Sequence, residues 1–115
     1  MTARLFHVIE PAAWERWSAS GGTWEPPSLA SEGFVHLSFE HQVAGTLETH
    51  YAAARALVLL EIDLGRASDA LVVEPSRGTE AFPHLYRALE RDDVRSARSI
   101  RPGAGGWRTF ELEPD

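Results

Sequence analysis

The stretch ALVLLEID, residues 56–63, decides how the chain is arranged. Its first five residues are all apolar, which is typical of a strand that is covered on both faces in the middle of a sheet. The segments RLFHVI (4–9), FVHL (34–37) and LVVE (71–74) also have the length and composition of strands. The sequence therefore predicts a sheet in which residues 56–63 form a central strand.

Two helices are predicted before this strand. Pro11 suits the first turn of a helix through AAWERW, in which Trp14 and Trp17 share one face. From residue 39 to about residue 54, apolar residues recur every three or four positions, which indicates a helix with one buried face. Ser38 is the expected N-cap of this second helix. The Gly- and Pro-rich segment 18–33 is predicted to be a loop with one short helical turn at SLAS.

The carboxyl-terminal half is rich in short strand patterns. Pro83 argues against a central strand, so RGTEAFPHLYRAL (77–89) is predicted to be a loop that enters a short strand. DVRSARSI (93–100) and WRTFEL (107–112) are predicted to be the closing strands. About six strands and two main helices, with the helices early and the strands late, predict an α+β fold. At 115 residues the chain is expected to form a single domain, 1–115.

Composition excludes several kinds of site. The chain has no cysteine, which rules out disulfides, thiolate nucleophiles and cysteine zinc sites. Its formal net charge is −6 and all 11 basic residues are arginine, so binding to nucleic acid is not expected. No signal peptide pattern and no apolar run of about 20 residues is present. A cytoplasmic location without membrane contact is the resulting expectation.

Histidines are the most informative polar residues. On a strand, His36 and Ser38 would project to one side, just before a helix amino terminus that favours an anionic ligand. The alternative is that Ser38 caps the helix and His36 is a half-buried strand residue. His7, in the first strand, is by itself more typical of a hydrogen-bonded core histidine. His84, beside Pro83 and near Tyr86, could face a cleft or merely help to close the core.

Other chemistries find little support in the sequence. Three histidines from separate segments could hold a divalent ion, but no HxH or HExxH motif occurs, and no metal site is predicted. His41 and His50 are nine residues apart, on opposite faces of the predicted helix. The sequence has no GxSxG motif, no GxGxxG motif and no lysine for a phosphate-binding loop.

Four segments taken together resemble one protein family. They are LFHVI followed by Trp14, PPSLASEGFVHLS, VLLEID and FPHLY, and in order and spacing they cover nearly the whole chain. They resemble the small bacterial proteins of the domain-of-unknown-function 952 family. That family is similar in fold to the ADP-ribosyltransferases, in which two small sheets face each other around an NAD-binding cleft. The layout looks particularly like the RNA 2′-phosphotransferase branch.

The resemblance implies NAD as the ligand and assigns residues to it. His7 would meet the nicotinamide-side ribose and amide, and His36 with Ser38 would meet the ribose or a phosphate. A glutamate from a late strand would stabilise positive charge when the nicotinamide bond breaks. Glu74 is the candidate, with Glu80 and Glu111 as alternatives, so His36 and Glu74 are the predicted catalytic pair.

The FPHLY motif adds two further residues to the predicted site. Tyr86 would stack on an aromatic ring of the ligand, and His84 would act as a general acid or bind phosphate. Two functions follow from the resemblance. One is an NAD-linked transferase or glycohydrolase, and the other is a non-catalytic module that binds a nucleotide-like small molecule. Convergence of His7, His36 and one glutamate would favour the enzyme, and the oligomeric state is left open.

Overall fold

The computed structural model describes residues 3–76 and 78–114 and has an α+β fold. Over that part of the chain, no helix is long and apolar enough to cross a lipid bilayer. The described residues form seven strands, four α-helices and four short 3₁₀ turns. The strands are β1 (Leu5–Ile9), β2 (Val35–His36), β3 (Ser38–Phe39), β4 (Leu57–Ile62), β5 (Leu71–Pro75), β6 (Ala81–Leu85) and β7 (Val94–Ile100); the α-helices are α1 (Pro11–Ser20), α2 (Pro27–Glu32), α3 (Val43–His50) and α4 (Leu64–Ala67); the 3₁₀ turns are Glu40–Gln42, Ser68–Ala70, Arg91–Asp93 and Trp107–Thr109.

The larger sheet has the order β3-β1-β4-β7, with β4 in its interior. Every residue of β4 is buried, which confirms the prediction from its apolar run. Because side chains alternate along a strand, Val58, Leu60 and Ile62 pack into one apolar cluster, while Leu57 and Leu59 pack into another. The first cluster includes Trp17 of α1, and the second lies under α3. Burial on both faces of β4 thus joins the two cores.

The smaller sheet has the order β2-β6-β5 and is antiparallel throughout. Its strand β2 is separated from β3 of the larger sheet only by Leu37. The predicted single strand FVHL is therefore wrong: the chain leaves one sheet at His36 and enters the other at Ser38. Residue periodicity could not show this bend, because it is set by the pairing partners, β6 and β1, which are distant in sequence.

Pro83 lies in the middle strand of the smaller sheet, which corrects the prediction that it excludes a central strand. Its carbonyl accepts a hydrogen bond of 3.0 Å from the N–H of Leu37. In an antiparallel strand, the nitrogen and the carbonyl oxygen of one residue point to the same side. The nitrogen of Pro83, which carries no hydrogen, therefore faces Leu37, the residue that follows β2. On the other side of β6, Val73 of β5 pairs with Pro83, and this pair requires no hydrogen-bond donor from the proline. The sheet therefore loses no hydrogen bond between β5 and β6 at this position.

The second helix begins later than predicted, and Ser38 is not its cap. Residues Glu40–Gln42 form a 3₁₀ turn, and α3 starts at Val43. Ser38 lies in β3, and its hydroxyl shares a 2.9 Å hydrogen bond with Thr46 Oγ1. The Gln42 side chain instead reaches back to β3, where its Oε1 accepts the backbone N–H of Phe39 at 3.0 Å.

The end of the chain is not the strand that WRTFEL predicted. Trp107–Thr109 form a 3₁₀ turn, and residues 110–114 have no regular structure. Trp107 is buried, and its Nε1 donates to the carbonyl of Ala54 at 3.1 Å. Trp107 thus packs this segment against α3.

The buried carboxylate of Asp93 links connecting segments of the chain to one another by hydrogen bonds. Asp93 has no exposed surface and accepts hydrogen bonds from Arg66, from Arg87 and from the backbone N–H of Glu90. Burial raises the pKa of Asp93, but these hydrogen bonds outweigh it and hold the pKa below its usual value. The backbone carbonyl of Asp93 also accepts the N–H of Asp63, just after β4.

We expect Asp93→Ala to destabilise the protein by about 3 kcal/mol, because two guanidinium groups and a buried N–H lose their shared acceptor. Urea unfolding of the variant and the wild type measures this difference. Asp92→Ala is the matched control, because its side chain is exposed, and it should change stability by no more than about 0.5 kcal/mol. Equal losses in the two variants would contradict this account.

Candidate functional site

The outward face of the smaller sheet carries most of the residues that the sequence singled out. His36 lies directly opposite His84, and His84 lies opposite Val72 on the other neighbouring strand. Directly paired residues share a face and alternate residues repeat it, so Glu74 lies on this face as well. Ring contacts add Phe34 and Tyr86 at the strand ends. We call Phe34, His36, Glu74, His84 and Tyr86 the Glu74 cluster.

The carboxylate of Glu74 is the polar centre of the cluster. Its Oε2 accepts a 2.8 Å hydrogen bond from Nδ1 of His84 and a second one from the hydroxyl of Tyr86. The hydrogen bond from Tyr86 and then that from His84 hold the pKa of Glu74 below its usual value. In turn, the bond to Glu74 raises the pKa of Tyr86. About 32% of the Glu74 side chain stays exposed. The cluster thus presents a fixed anion to solvent.

His84 is the buried member of the cluster, with 2% of its surface exposed. Phe34 stacks on the imidazole with ring centroids 3.9 Å apart and planes 11° from parallel. Because Nδ1–H is bonded to Glu74, Nε2 is the nitrogen that carries the lone pair whenever the imidazole is neutral. This Nε2 is buried and has no hydrogen-bond partner among the described residues. Such a nitrogen is uncommon in a folded protein and calls for an explanation, such as a bound water, ion or ligand, or a catalytic role.

His36 is the exposed histidine of the cluster. Its Nε2 lies 3.1 Å from Glu32 Oε2, and about 45% of its side chain is accessible. Glu32 ends helix α2, and Gly33 follows it with φ of 92°, a left-handed conformation that turns the chain into β2. The His36 and His84 rings are perpendicular, with centroids 5.3 Å apart. Predicted site residues from three separate segments are therefore in contact.

His7 lies beneath this face, in β1 of the larger sheet. The indole N–H of Trp24 donates to His7 Nε2 at 3.0 Å, so Nε2 must be the acceptor. Nδ1 therefore carries the proton and donates to the backbone carbonyl of His36 at 2.8 Å. Burial lowers the pKa of His7 to about 4, so the ring is neutral at physiological pH. His7 thus positions the backbone of His36, and its contact with a cofactor stays a prediction.

The remaining sequence candidates lie outside the cluster. Ser38 is buried in the larger sheet and bonds to Thr46, so the sheet crossing separates it from the face that carries His36. Glu80 accepts a hydrogen bond from Gln42 and lies 3.7 Å from the ring of His41. Glu111 is exposed in the irregular carboxyl-terminal segment. Of the three glutamates, only Glu74 is bonded to the predicted histidines.

The comparisons with known proteins agree with the fold and the resemblance. Residues 8–97 match the family model described as Protein of unknown function (DUF952). The chain belongs to this family. Protein CC0527 from Caulobacter crescentus has a crystal structure that is 31% identical in sequence, with a TM-score of 0.78 and 90% of each chain covered. Its solution NMR structure is 30% identical, with a TM-score of 0.79 and coverage of 92% of this chain and 90% of that one. No curated protein matches the chain.

Membership of the DUF952 family is therefore confirmed, while its relation to the ADP-ribosyltransferases stays a prediction. Three residues of the site were missed as functional candidates: Glu32, Phe34 and Trp24. The link between Glu32 and His36 depends on the turn at Gly33. Phe34 shares a strand face with His36, and this spacing was a signal that it adjoins the site. Trp24 lies in a loop, and nothing in its local sequence indicated that it would bond to His7.

The neutral state of His7 predicts a specific loss of stability in acid. The unfolded chain binds a proton at His7 near pH 6.5, whereas the folded protein does so only near pH 4. The contribution of neutral His7 to the free energy of unfolding is therefore complete above pH 6.5 and decreases as the pH falls toward 4. Between pH 7 and pH 5 the loss amounts to about 2 kcal/mol.

Urea unfolding of the wild type and of His7→Gln at pH 7 and pH 5 measures the loss of stability that is due to His7. The difference between the two proteins should shrink by about 2 kcal/mol at the lower pH, because glutamine does not titrate. His41→Gln serves as the control, since 72% of the His41 side chain is exposed, and it should keep the wild-type pH dependence. An unchanged pH dependence in His7→Gln would contradict the assignment.

Proposed function

We propose that the protein binds NAD or a related nucleotide at the Glu74 cluster and breaks its nicotinamide glycosidic bond, as a transferase or glycohydrolase. One observation carries the proposal. A carboxylate with a lowered pKa, partly exposed and fixed by two hydrogen bonds, lies among aromatic rings. The nicotinamide ring of NAD is a cationic aromatic ring, so the cluster offers both stacking surface and opposite charge. The ADP-ribosyltransferase-like fold expected from the sequence is part of this proposal.

The residues of the cluster fit such a ligand in complementary ways. Tyr86 is 44% exposed and can stack on the ring, while its hydroxyl keeps Glu74 aligned. The bare Nε2 of His84 can accept a hydrogen bond, for which the carboxamide of nicotinamide has a donor. Thus the cluster can recognise charge, shape and an amide through three different groups.

Glu74 would supply the electrostatic part of the catalysis. When the bond between the ribose C1′ and the ring nitrogen breaks, the electron pair leaves with nicotinamide, and positive charge develops on the sugar. A preorganised anion near that charge stabilises the transition state more than the ground state. Hydrogen bonds from His84 and Tyr86 keep Glu74 ionised and fixed, so it needs no reorganisation during the step.

His36 is the candidate general base. Glu32 accepts a hydrogen bond from the Nε2–H of His36, which leaves the Nδ1 lone pair for the proton of the attacking water or acceptor group. The hydrogen bond from His7 to the carbonyl of His36 holds the backbone at this point. His7 would then be a positioning residue, and the resemblance-based contact between His7 and the ligand would be indirect.

A second candidate function is nucleotide binding without turnover. The Glu74 cluster lies on an outward sheet face, where Val72, Tyr86 and His36 are all substantially exposed. A ligand bound there keeps one side open to water, whereas catalysis by charge stabilisation is strongest where water is excluded. Product analysis separates the two functions, because only the enzyme releases nicotinamide.

Thermal unfolding with NAD and with NADH tests the proposal directly. The two ligands differ in the charge of the nicotinamide ring, so NAD should stabilise the protein and NADH should stabilise it less. At about a hundred times its Kd, a ligand adds about 2.7 kcal/mol, which raises Tm by roughly 10 °C for a domain of this size. Liquid chromatography of the same mixtures detects free nicotinamide.

Glu74→Gln should abolish the preference for NAD over NADH, because the amide keeps the size of the side chain but lacks its charge. Glu80→Gln is the matched control, since Glu80 lies in the connection between β5 and β6, outside the Glu74 cluster. It accepts a hydrogen bond from Gln42 and lies 3.7 Å from the ring of His41. The Glu80→Gln variant should behave like the wild type. Equal Tm shifts with NAD and NADH in the wild type, or no shift with either, would refute the proposal.

A further inference from the structure

Two histidines of the Glu74 cluster face each other across neighbouring strands. His36 in β2 is the direct antiparallel partner of His84 in β6. Directly opposite residues have Cβ atoms about 5 Å apart and side chains on the same face. The two imidazoles are 5.3 Å apart between centroids, with planes at 84°. Two ring nitrogens from such a pair can approach a common point above the sheet.

A carboxylate holds one nitrogen of each ring. Glu74 accepts from Nδ1 of His84 at 2.8 Å, and Glu32 accepts from Nε2 of His36 at 3.1 Å. Each bond fixes which nitrogen carries the proton, so the lone pairs are left on His84 Nε2 and His36 Nδ1. Histidines that ligate metals nearly always donate their other N–H in this way, often to a carboxylate.

The free nitrogen of His84 is also the one buried side-chain nitrogen or oxygen, among the described residues, for which no hydrogen-bond partner is found. Phe34 covers the face of this ring, whereas the lone pair lies in the ring plane and points from its edge. His36, with about 45% of its side chain exposed, is the ligand that an ion reaches first. A metal ion would satisfy the nitrogen that the protein leaves bare.

We propose that His36 Nδ1 and His84 Nε2 bind a divalent transition-metal ion. Imidazole nitrogen suits Cu(II), Ni(II) and Zn(II), whereas Mg²⁺ and Ca²⁺ prefer oxygen ligands. In the described part of the chain, no group of three or more His, Asp or Glu side chains is placed to hold a metal ion together. Water or a small ligand would therefore complete the coordination.

This inference goes beyond the proposed function and does not depend on it. An ion at this position would take up the His36 lone pair that the proposed reaction uses, so a bound ion would block that reaction. Metal binding is measured without any nucleotide. A negative result with NAD would therefore not affect the interpretation of the metal titration, and a negative metal titration would not affect the interpretation of the NAD experiments.

Calorimetric titration of the untagged protein with CuCl₂, NiCl₂ and ZnCl₂ tests the site, with MgCl₂ as the comparison ion. One equivalent of Cu(II) should bind most tightly, and its electron paramagnetic resonance spectrum should show coupling to two imidazole nitrogens. His36→Ala should weaken binding at least about tenfold and leave one coupled nitrogen. Glu74→Gln, which disturbs a group that orients His84, should cost roughly 10- to 100-fold in affinity.

His41→Ala is the matched control, because His41 is an exposed histidine outside the cluster. It should bind Cu(II) as the wild type does. Circular dichroism of each variant checks that the fold is kept, which matters most for Glu74→Gln. The proposal is overturned if His36→Ala binds as tightly as the wild type, if His41→Ala removes the binding, or if no transition metal binds at all.

Discussion

The hydrogen bond from His7 to the backbone carbonyl of His36 joins the two sheets at the point where the chain crosses between them. Its donor lies in β1 of the larger sheet, and its acceptor ends β2 of the smaller one. The bond requires His7 to be neutral with the proton on Nδ1, and the indole of Trp24 enforces that tautomer from the other side. The backbone of His36 is thereby fixed while its side chain turns to the outer face. The position of His36 opposite His84 depends on this crossing.

Carboxylates organise the outer face in a similar way. Glu74 orders His84 and Tyr86, and Glu32 orders His36, so both histidines offer one nitrogen to whatever binds there. The arrangement places an ionised group, aromatic rings and a buried lone pair within one small area of sheet. The buried His84 nitrogen has no partner among the described residues, and an unmet buried polar atom costs about 1–3 kcal/mol, so a bound group that met it would be stabilised.

The pattern of apolar residues along a segment predicted those parts of the fold that depend on burial of that segment alone. The apolar run of residues 57–60 requires burial on both faces, and β4 has it. Pairing between distant segments was beyond such patterns. The split of FVHL between two sheets and the place of Pro83 in a middle strand both depend on which partner offers a donor or an acceptor at that position. Trp107 was assigned to a closing strand, yet its indole N–H bonds to the carbonyl of Ala54, in the segment after α3.

The candidate site was predictable to a similar degree. His36, Glu74, His84 and Tyr86 were selected from three separate segments, and the structure brings these four together. Ser38 was expected to share their face because the strand was taken as continuous, and the crossing at Leu37 separates it. Glu32 could not be linked to His36 from the sequence, since their contact depends on the turn at Gly33.

Long-range ¹H–¹⁵N correlation spectra of the histidine side chains report which ring nitrogen carries the proton, and so test whether His84 offers a free nitrogen to a ligand. Near neutral pH and without metal, we expect His84 to carry its proton on Nδ1, with Glu74 as the acceptor, and to have a bare Nε2. A proton on Nε2 of His84, with or without one on Nδ1, would contradict this expectation, since no free nitrogen would then face a ligand.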